Sequence, residues 1–317
     1  KSFRLYVRDK AEEVAQFSGF SQAYCYSFES PKVFDKLLLP REAKERAAIT
    51  ISNPLGEDFS IMRTLPLGGI LTSLSTNYSR RNKDVRLYEI ANIYLPKELP
   101  LKDLPDEREQ FTLGFYGEGD FYTMKGVVEE FLESLNMLEH MQLNPKETLY
   151  DGLQGRPYLH PGRQAEILYQ DPKTEELVKI GYLGELHPLV AANYGIKDRV
   201  YLAVIDIPSV LPYATFERRY HGIARFPALS RDLSMVVPRE ILAGEIEQTI
   251  RHCAGEYLEK LELFDLYEGA QIQKGYKSMA YSLSFRSAKR TLSDEEVNSC
   301  MDRILSGLKG MKIELRS

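Results

Sequence analysis

Cysteine is scarce in this chain: Cys25, Cys253 and Cys300 stand far apart and form no CxxC pair. That spacing offers neither a disulfide framework nor a zinc site, and a reducing cytoplasm is the simplest setting. No apolar run approaches the roughly 20 residues needed to cross a bilayer, so no membrane span is expected. The opening residues, Lys1-Ser2-Phe3-Arg4, lack both a signal-peptide pattern and an initiator methionine, and read as the start of a piece of a longer chain. An excess of positive charge is missing too, since the formal net charge is −5. Non-specific attraction of the whole chain to nucleic acid is thereby disfavoured, and any contact with RNA has to rest on a local patch.

What is present is the makings of two domains. The chain has 317 residues, 43% hydrophobic and 27% charged, which is more than one core usually organises. Residues 4–19 predict an amphipathic helix stopped by Gly19. Ala23–Phe28 reads as an aromatic-rich strand, Leu65–Leu74 as a buried helix and Val85–Tyr94 as another strand. Residues 96–109, rich in proline and charge, predict a surface loop. Phe121–Leu138 has an apolar helical stripe through Val127, Val128, Phe131, Leu132 and Leu135. Strands follow around Ala165–Tyr169, Leu177–Gly184 and Val200–Ile205. Strands with interspersed helices suit an antiparallel α+β domain better than a βαβ repeat.

Residues 208–227 hold Pro208, Pro212, Gly222 and Pro227 and show no periodicity, which makes them the best boundary. Beyond them the order is β-α-β-β-α-β: strands Asp232–Val237, Tyr257–Tyr267, Tyr276–Arg286 and Met311–Leu315, with helices Ile241–Cys253 and Asp294–Leu308. Ser293 is placed to cap the second helix while Glu296 reaches back. About 90 residues in this order predict a ferredoxin-like unit. Along its third strand Met279, Tyr281, Leu283 and Phe285 share one face, and Ser278, Ala280, Ser282, Ser284 and Arg286 share the other. The first set would pack on helices. The second would leave an open face of the kind that holds single-stranded RNA, or simply a solvated one.

Several ordered motifs then carry a resemblance: Asn53-Pro54-Leu55-Gly56, Met62-Arg63-Thr64-Leu65, Leu87-Tyr88-Glu89-Ile90, Leu159-His160-Pro161-Gly162-Arg163 and Gly181–Pro188. This series resembles the class II synthetase-like core of the bacterial phenylalanine–tRNA ligase β subunit. Phe226–Asp232, Leu263–Gly269 and Arg290–Val297 look like the ferredoxin-fold anticodon-binding domain that ends that subunit. The resemblance implies a class II-like antiparallel sheet with flanking helices over 1–207, a linker at 208–224 and the anticodon-binding domain over 225–317. It further implies a cytoplasmic (αβ)2 enzyme in which the α subunit attaches phenylalanine to its tRNA using ATP and magnesium. The β core is then a scaffold without chemistry of its own, and no cofactor is expected in this piece. The family's editing and metal-binding domains lie upstream, so neither function is carried over.

The residues agree with lost catalysis. A class II site holds ATP through arginines that neutralise charge on the α-phosphate. Arg86-Leu87-Tyr88-Glu89 is only a stretched echo of an Arg-x-Glu motif, and Gly117-Glu118-Gly119 is followed by Asp120 rather than a cation. His160 and His187, each before a proline, are expected to fix turns. Arg163 is expected to form an internal ion pair, with Glu89 or Glu185 as partner. Phe121-Tyr122 is expected to pack rather than bind ligand. Residues 53–74 are expected to contribute to the α-subunit interface, again by resemblance.

For tRNA the resemblance favours Asp265 and Tyr267, which share one strand face: Tyr267 stacking on a base and Asp265 accepting from a base edge. The bland alternative puts Tyr267 partly in the core and Asp265 in a turn. Arg231, Arg286, Lys289 and Arg290 in the module, and Arg225 with Arg218 and Arg219 before it, are the cations expected to meet phosphate. Two other classes stay open: a self-sufficient ATP-dependent ligase, and a structural subunit whose last domain binds protein instead of RNA.

Overall fold

The structure, a computed structural model, describes residues 1–317 except 145–148, 151–152, 155, 219, 221, 270–271 and 316–317. It divides into two compact units, Lys1–Glu217 and Arg218–Ser317, so the division falls inside the stretch expected to link them. Arg219 of the expected basic run lies outside the described residues.

In chain order, unit 1 holds α1 (Phe3–Phe17), β1 (Ser21–Gln22), β2 (Phe28–Glu29), α2 (Lys32–Lys36), β3 (Ile61–Met62), α3 (Leu67–Ser79), β4 (Val85–Leu95) and β5 (Asp106–Tyr116). It continues with α4 (Phe121–Ser134), β6 (Met141–Asn144), β7 (Leu149–Tyr150), β8 (Leu153–Gln154), β9 (Leu159–Gln170), β10 (Leu177–Leu186), α5 (Pro188–Asn193), β11 (Val200–Asp206) and α6 (Ile207–Val210). Seven of the strands form one sheet in the order β1-β4-β5-β11-β10-β9-β6. The short β1 runs parallel to β4, and the other pairs are antiparallel.

Alternation along the strands feeds two cores, one on each face of the sheet. Phe111, Leu113 and Phe115 of β5 join Val7 and Val14 of α1 and Val127, Val128, Phe131 and Leu132 of α4 on one side. On the other, Leu202 and Val204 of β11 pack with Ile70, Leu71 and Leu74 of α3 and Val190 of α5. Register lines up one row across five strands, Glu89, Thr112, Val204, Tyr182 and Glu166, all on this second face. Each end of the row carries a buried ion pair: Arg63 Nη1 donates to Glu89 Oε2 at 3.0 Å, and Arg156 Nη2 to Glu166 Oε1 at 3.0 Å. Glu89 also accepts from the Cys25 amide at 2.9 Å, and Arg63 Nε donates to the Asn92 carbonyl at 2.8 Å.

Two expectations fail locally. Ala23–Phe28 is no continuous strand, because Glu89 and not a neighbouring backbone satisfies the Cys25 amide, and Tyr24 and Tyr26 project into solvent at 86% and 71% exposure. Residues 106–109, expected in a loop, begin the long strand β5. Their charges are taken up by tertiary partners: Arg108 bonds Asp206 through Nε at 3.0 Å, and Glu109 receives Arg4 and Arg8. The histidines do fix turns. His160 Nδ1 accepts from the Gly162 amide at 3.1 Å, and His187 Nδ1 caps α5 by accepting from Leu189 at 3.1 Å. Arg163 pairs with Glu185 at 2.8 Å. Asp120 caps α4 by accepting from the amides of Tyr122 and Thr123, and Phe121 packs on the core while Tyr122 stands exposed.

Unit 2 holds β12 (Leu229–Pro238), α7 (Ala243–Ala254), β13 (Leu258–Tyr267), β14 (Tyr276–Phe285), α8 (Asp294–Gly310) and β15 (Glu314–Leu315). The strands pair antiparallel in the order β13-β14-β12-β15, which is the ferredoxin-like arrangement. Ser293 Oγ accepts from the Glu296 amide while Glu296 Oε2 accepts from the Ser293 amide at 3.0 Å, the reciprocal cap expected from sequence. Met279, Tyr281, Leu283 and Phe285 are buried among Ile246 and Ile250 of α7 and Val297, Ile304 and Leu308 of α8.

Candidate nucleic-acid interface

Both helices of unit 2 cover the same side of its sheet, so the chemistry of the opposite side decides what the unit can hold. Along β14 the residues of that side are small. Ser282 and Ser284 are half-buried, and Ser278 and Ala280 are buried by their neighbours, so that end is less open than the alternation implied. Asp265 aligns with Ala280 and Tyr267 with Ser278. Paired residues point to the same side, so both project on the uncovered face. Asp265 is exposed, Tyr267 is 37% exposed, and neither lies beneath the helices.

Tyr267 is positioned by Gly269. A Cβ at that glycine would lie 2.2 Å from the phenolic oxygen, so the ring must swing away if the glycine is replaced. Gly269→Ala is therefore expected to change the fluorescence and chemical shifts of Tyr267 while moving the unfolding midpoint of unit 2 little. An unchanged Tyr267 signal would show that the ring does not rest on Gly269.

The expected cations are scattered. Arg231 aligns with Leu283, whose side chain is in the core, and it reaches Asp294 at the start of α8 at 2.5 Å; it is on the helix side. Arg290 forms a two-pronged pair with Glu296, which holds that exposed carboxyl at about 2. Arg286 braces Glu259 at 2.9 Å and the Phe226 carbonyl at 3.1 Å. Arg225 and Lys289 are exposed. Arg286, Lys289 and Arg290 follow the end of β14 opposite to Tyr267. Eight residues of strand separate Ser278 from Arg286, roughly 27 Å.

Sequence reasoning missed the groups nearest Tyr267. Lys274 is exposed in the hairpin joining β13 to β14. The Arg239 amide donates to the Gly275 carbonyl of that hairpin, and its side chain pairs with Glu268. Leu263, Phe264 and Leu266 on the edge strand β13 are also exposed, at 37%, 56% and 51%. The signal was there: apolar residues at 263, 264, 266 and 267 exceed what one buried face takes with period two. Phe264 sits where the register shifts between Leu263 and Asp265, a bulge that interrupts the alternation. Charge is distributed to match: unit 2 has sixteen Lys and Arg against fourteen Asp and Glu, whereas unit 1 has twenty-five against thirty-two.

In unit 1 the echo of an ATP-binding motif is committed elsewhere. Arg86 lies over the Phe115 ring and donates to the carbonyls of Ser18 and Glu118, while Glu89 is buried against Arg63. Among the described residues no group of three His, Cys, Asp or Glu side chains is placed to hold a metal ion. No helix among them is long and apolar enough to cross a membrane.

Comparison with known proteins agrees with both units. The pyrrolysyl-tRNA synthetase of Desulfitobacterium hafniense superposes with a TM-score of 0.51 at 13% identity, covering 67% of this chain and 69% of that one; the likeness establishes a class II synthetase fold and no more. The phenylalanine–tRNA ligase beta subunit of Clostridium tetani is 39% identical over 100% of this chain and 38% of its own length. That of Clostridium acetobutylicum is 38% identical over 96% and 36%, and that of Bacillus subtilis 30% identical over 95% and 36%. The chain thus spans less than two fifths of these relatives. Residues 224–316 match the ferredoxin-fold anticodon binding domain, and residues 2–207 match the phenylalanyl tRNA synthetase beta chain CLM domain. With the sheet order, the motifs and the relatives in agreement, the chain belongs to the phenylalanyl-tRNA synthetase beta chain family.

Proposed function

We propose that this chain is the tRNA-binding and assembly part of a phenylalanine–tRNA ligase, with residues 1–207 a non-catalytic scaffold and residues 225–317 the anticodon-binding domain. The observation that carries the reading is the exposed pair Asp265 and Tyr267 on the uncovered face of a domain matched to anticodon binding. Tyr267 stacks on an unpaired base and Asp265 accepts from a base edge. Arg225 and Lys289 meet phosphate, joined by Arg231, Arg286 and Arg290 once their exposed carboxylate partners yield. Lys274 supplies the cation nearest the stacked base.

Phenylalanine transfer, with its ATP and magnesium, belongs to an α subunit in a cytoplasmic (αβ)2 assembly. Residues 53–74 contribute to the surface that meets it, beside the exposed Tyr24, Tyr26 and Leu55. The engagement of Arg86 and Glu89 within the fold supports a scaffold without its own adenylation site.

Titrating an anticodon stem-loop of phenylalanine tRNA into the assembled enzyme tests the reading. Tyr267→Ala is expected to weaken binding by about 1–3 kcal/mol, the usual worth of one base–aromatic stack. Arg225→Ala and Arg290→Ala are expected to lower affinity and flatten its dependence on salt. Wild-type affinity in Tyr267→Ala together with unchanged salt slopes would instead favour a domain that binds protein. ATP–pyrophosphate exchange by the chain alone separates off a self-sufficient ligase, and none is expected.

A further inference from the structure

Unit 1 contains a cavity of about 570 Å³ above the sheet row that ends in Glu166. That volume is in the range of small-molecule sites, which bury an apolar body and fix it with a few polar groups. Leu65, Leu95 and Val204 supply apolar walls, and Tyr182 supplies an aromatic one.

The polar wall is built around one carboxylate shared by two cations. Glu166, 4% exposed, receives Arg156 at 3.0 Å and Lys179 at 2.9 Å. The Arg156 guanidinium is buried and lies 3.9 Å from the centre of the Tyr182 ring. Lys179 is less enclosed, with 48% of its side chain exposed. Burial and the nearby Arg156 hold its ammonium below the usual lysine range despite Glu166. Lys44 and Glu45 also line the cavity and cancel in charge. One positive charge therefore remains over among the described residues, beside an apolar chamber.

We propose that this cavity binds a small monoanionic ligand with an apolar body, an aryl or branched alkyl carboxylate, whose carboxylate meets Lys179 while its hydrocarbon part lies between Leu65, Leu95 and Tyr182. The incoming anion relieves the repulsion between Lys179 and Arg156 that Glu166 alone leaves in place. The chamber lies wholly within unit 1, so the inference does not depend on where tRNA binds.

Calorimetric titration of the chain with 3-phenylpropionate, and in parallel with the uncharged 3-phenylpropanamide, tests it. The carboxylate is expected to bind saturably in the millimolar range or tighter, at least tenfold better than the amide. Lys179→Met keeps the Arg156–Glu166 pair and should weaken the carboxylate about tenfold without changing the amide. Leu95→Trp, which fills the chamber, should abolish binding of both. Saturation by neither probe, equal affinity for the two, or carboxylate binding that survives both substitutions would overturn the assignment.

Discussion

Arg63→Ala is expected to destabilise unit 1 by about 3–5 kcal/mol, because it strands a buried carboxylate. Arg63 is 2% exposed and Glu89 is 4% exposed. Removing the guanidinium leaves Glu89 with only the Cys25 amide, and leaves the Asn92 carbonyl without its Nε donor. Surface pairs such as Lys102–Glu98 contribute far less, about 0.2–1 kcal/mol, since water already solvates both ions. The distinction can be measured by urea denaturation of the single variants and of Arg63→Met combined with Glu89→Gln. The double variant retains a hydrogen-bond acceptor for Cys25 and buries no charge, so it should recover most of the loss. If Arg63→Ala shifts stability by less than about 0.5 kcal/mol, the pair is not enclosed as described.

Glu29 gives the second large effect, and its sign is set by pH. The residue keeps some contact with solvent along its chain, but its Oε1 is enclosed and finds no hydrogen-bond partner, and the carboxyl is the part that titrates. Burial pushes it up to about 8, with Arg63 offsetting only part. The carboxyl lies against Gly68 in the first turn of α3, where a Cβ would come within 2.3 Å of Oε2. The positive end of that helix favours the anion by roughly 0.3–1 kcal/mol, too little to outweigh desolvation. A carboxyl raised on folding stabilises the fold fully below its unfolded value and loses that contribution as pH climbs through its folded value. Between about pH 4.5 and 8, wild type should therefore lose on the order of 3 kcal/mol relative to Glu29→Gln. A difference between the two proteins that stays flat with pH would refute a neutral, enclosed Glu29.

The parts of the fold legible in the sequence are those where local chemistry and tertiary packing agree. Ser293 and Glu296 cap α8 by side chains three residues apart, and the alternation of Met279, Tyr281, Leu283 and Phe285 carries its own burial. The failures come where distant partners decide. The polar start of β5 looked like loop because Arg4, Arg8 and Asp206, which satisfy it, are about a hundred residues away. Ala23–Phe28 looked like strand because nothing in it announces that Glu89 will take its amide. The candidate site divides in the same way. That Asp265 and Tyr267 share a face follows from their spacing of two. Which cations stand near them depends on a hairpin and a bulge, so closeness in sequence pointed to Arg286 through Arg290, whereas the hairpin brings in Lys274 and Arg239.

The two oxygens of Glu89 serve different stretches of chain, Oε1 the segment around Cys25 and Oε2 the segment around Arg63. One side chain on a central strand thus clamps two irregular segments that present Tyr24, Tyr26 and Leu55 outward. Such a surface meets a partner as a rigid plate rather than as separate loops, and little ordering entropy is left to be lost when it docks.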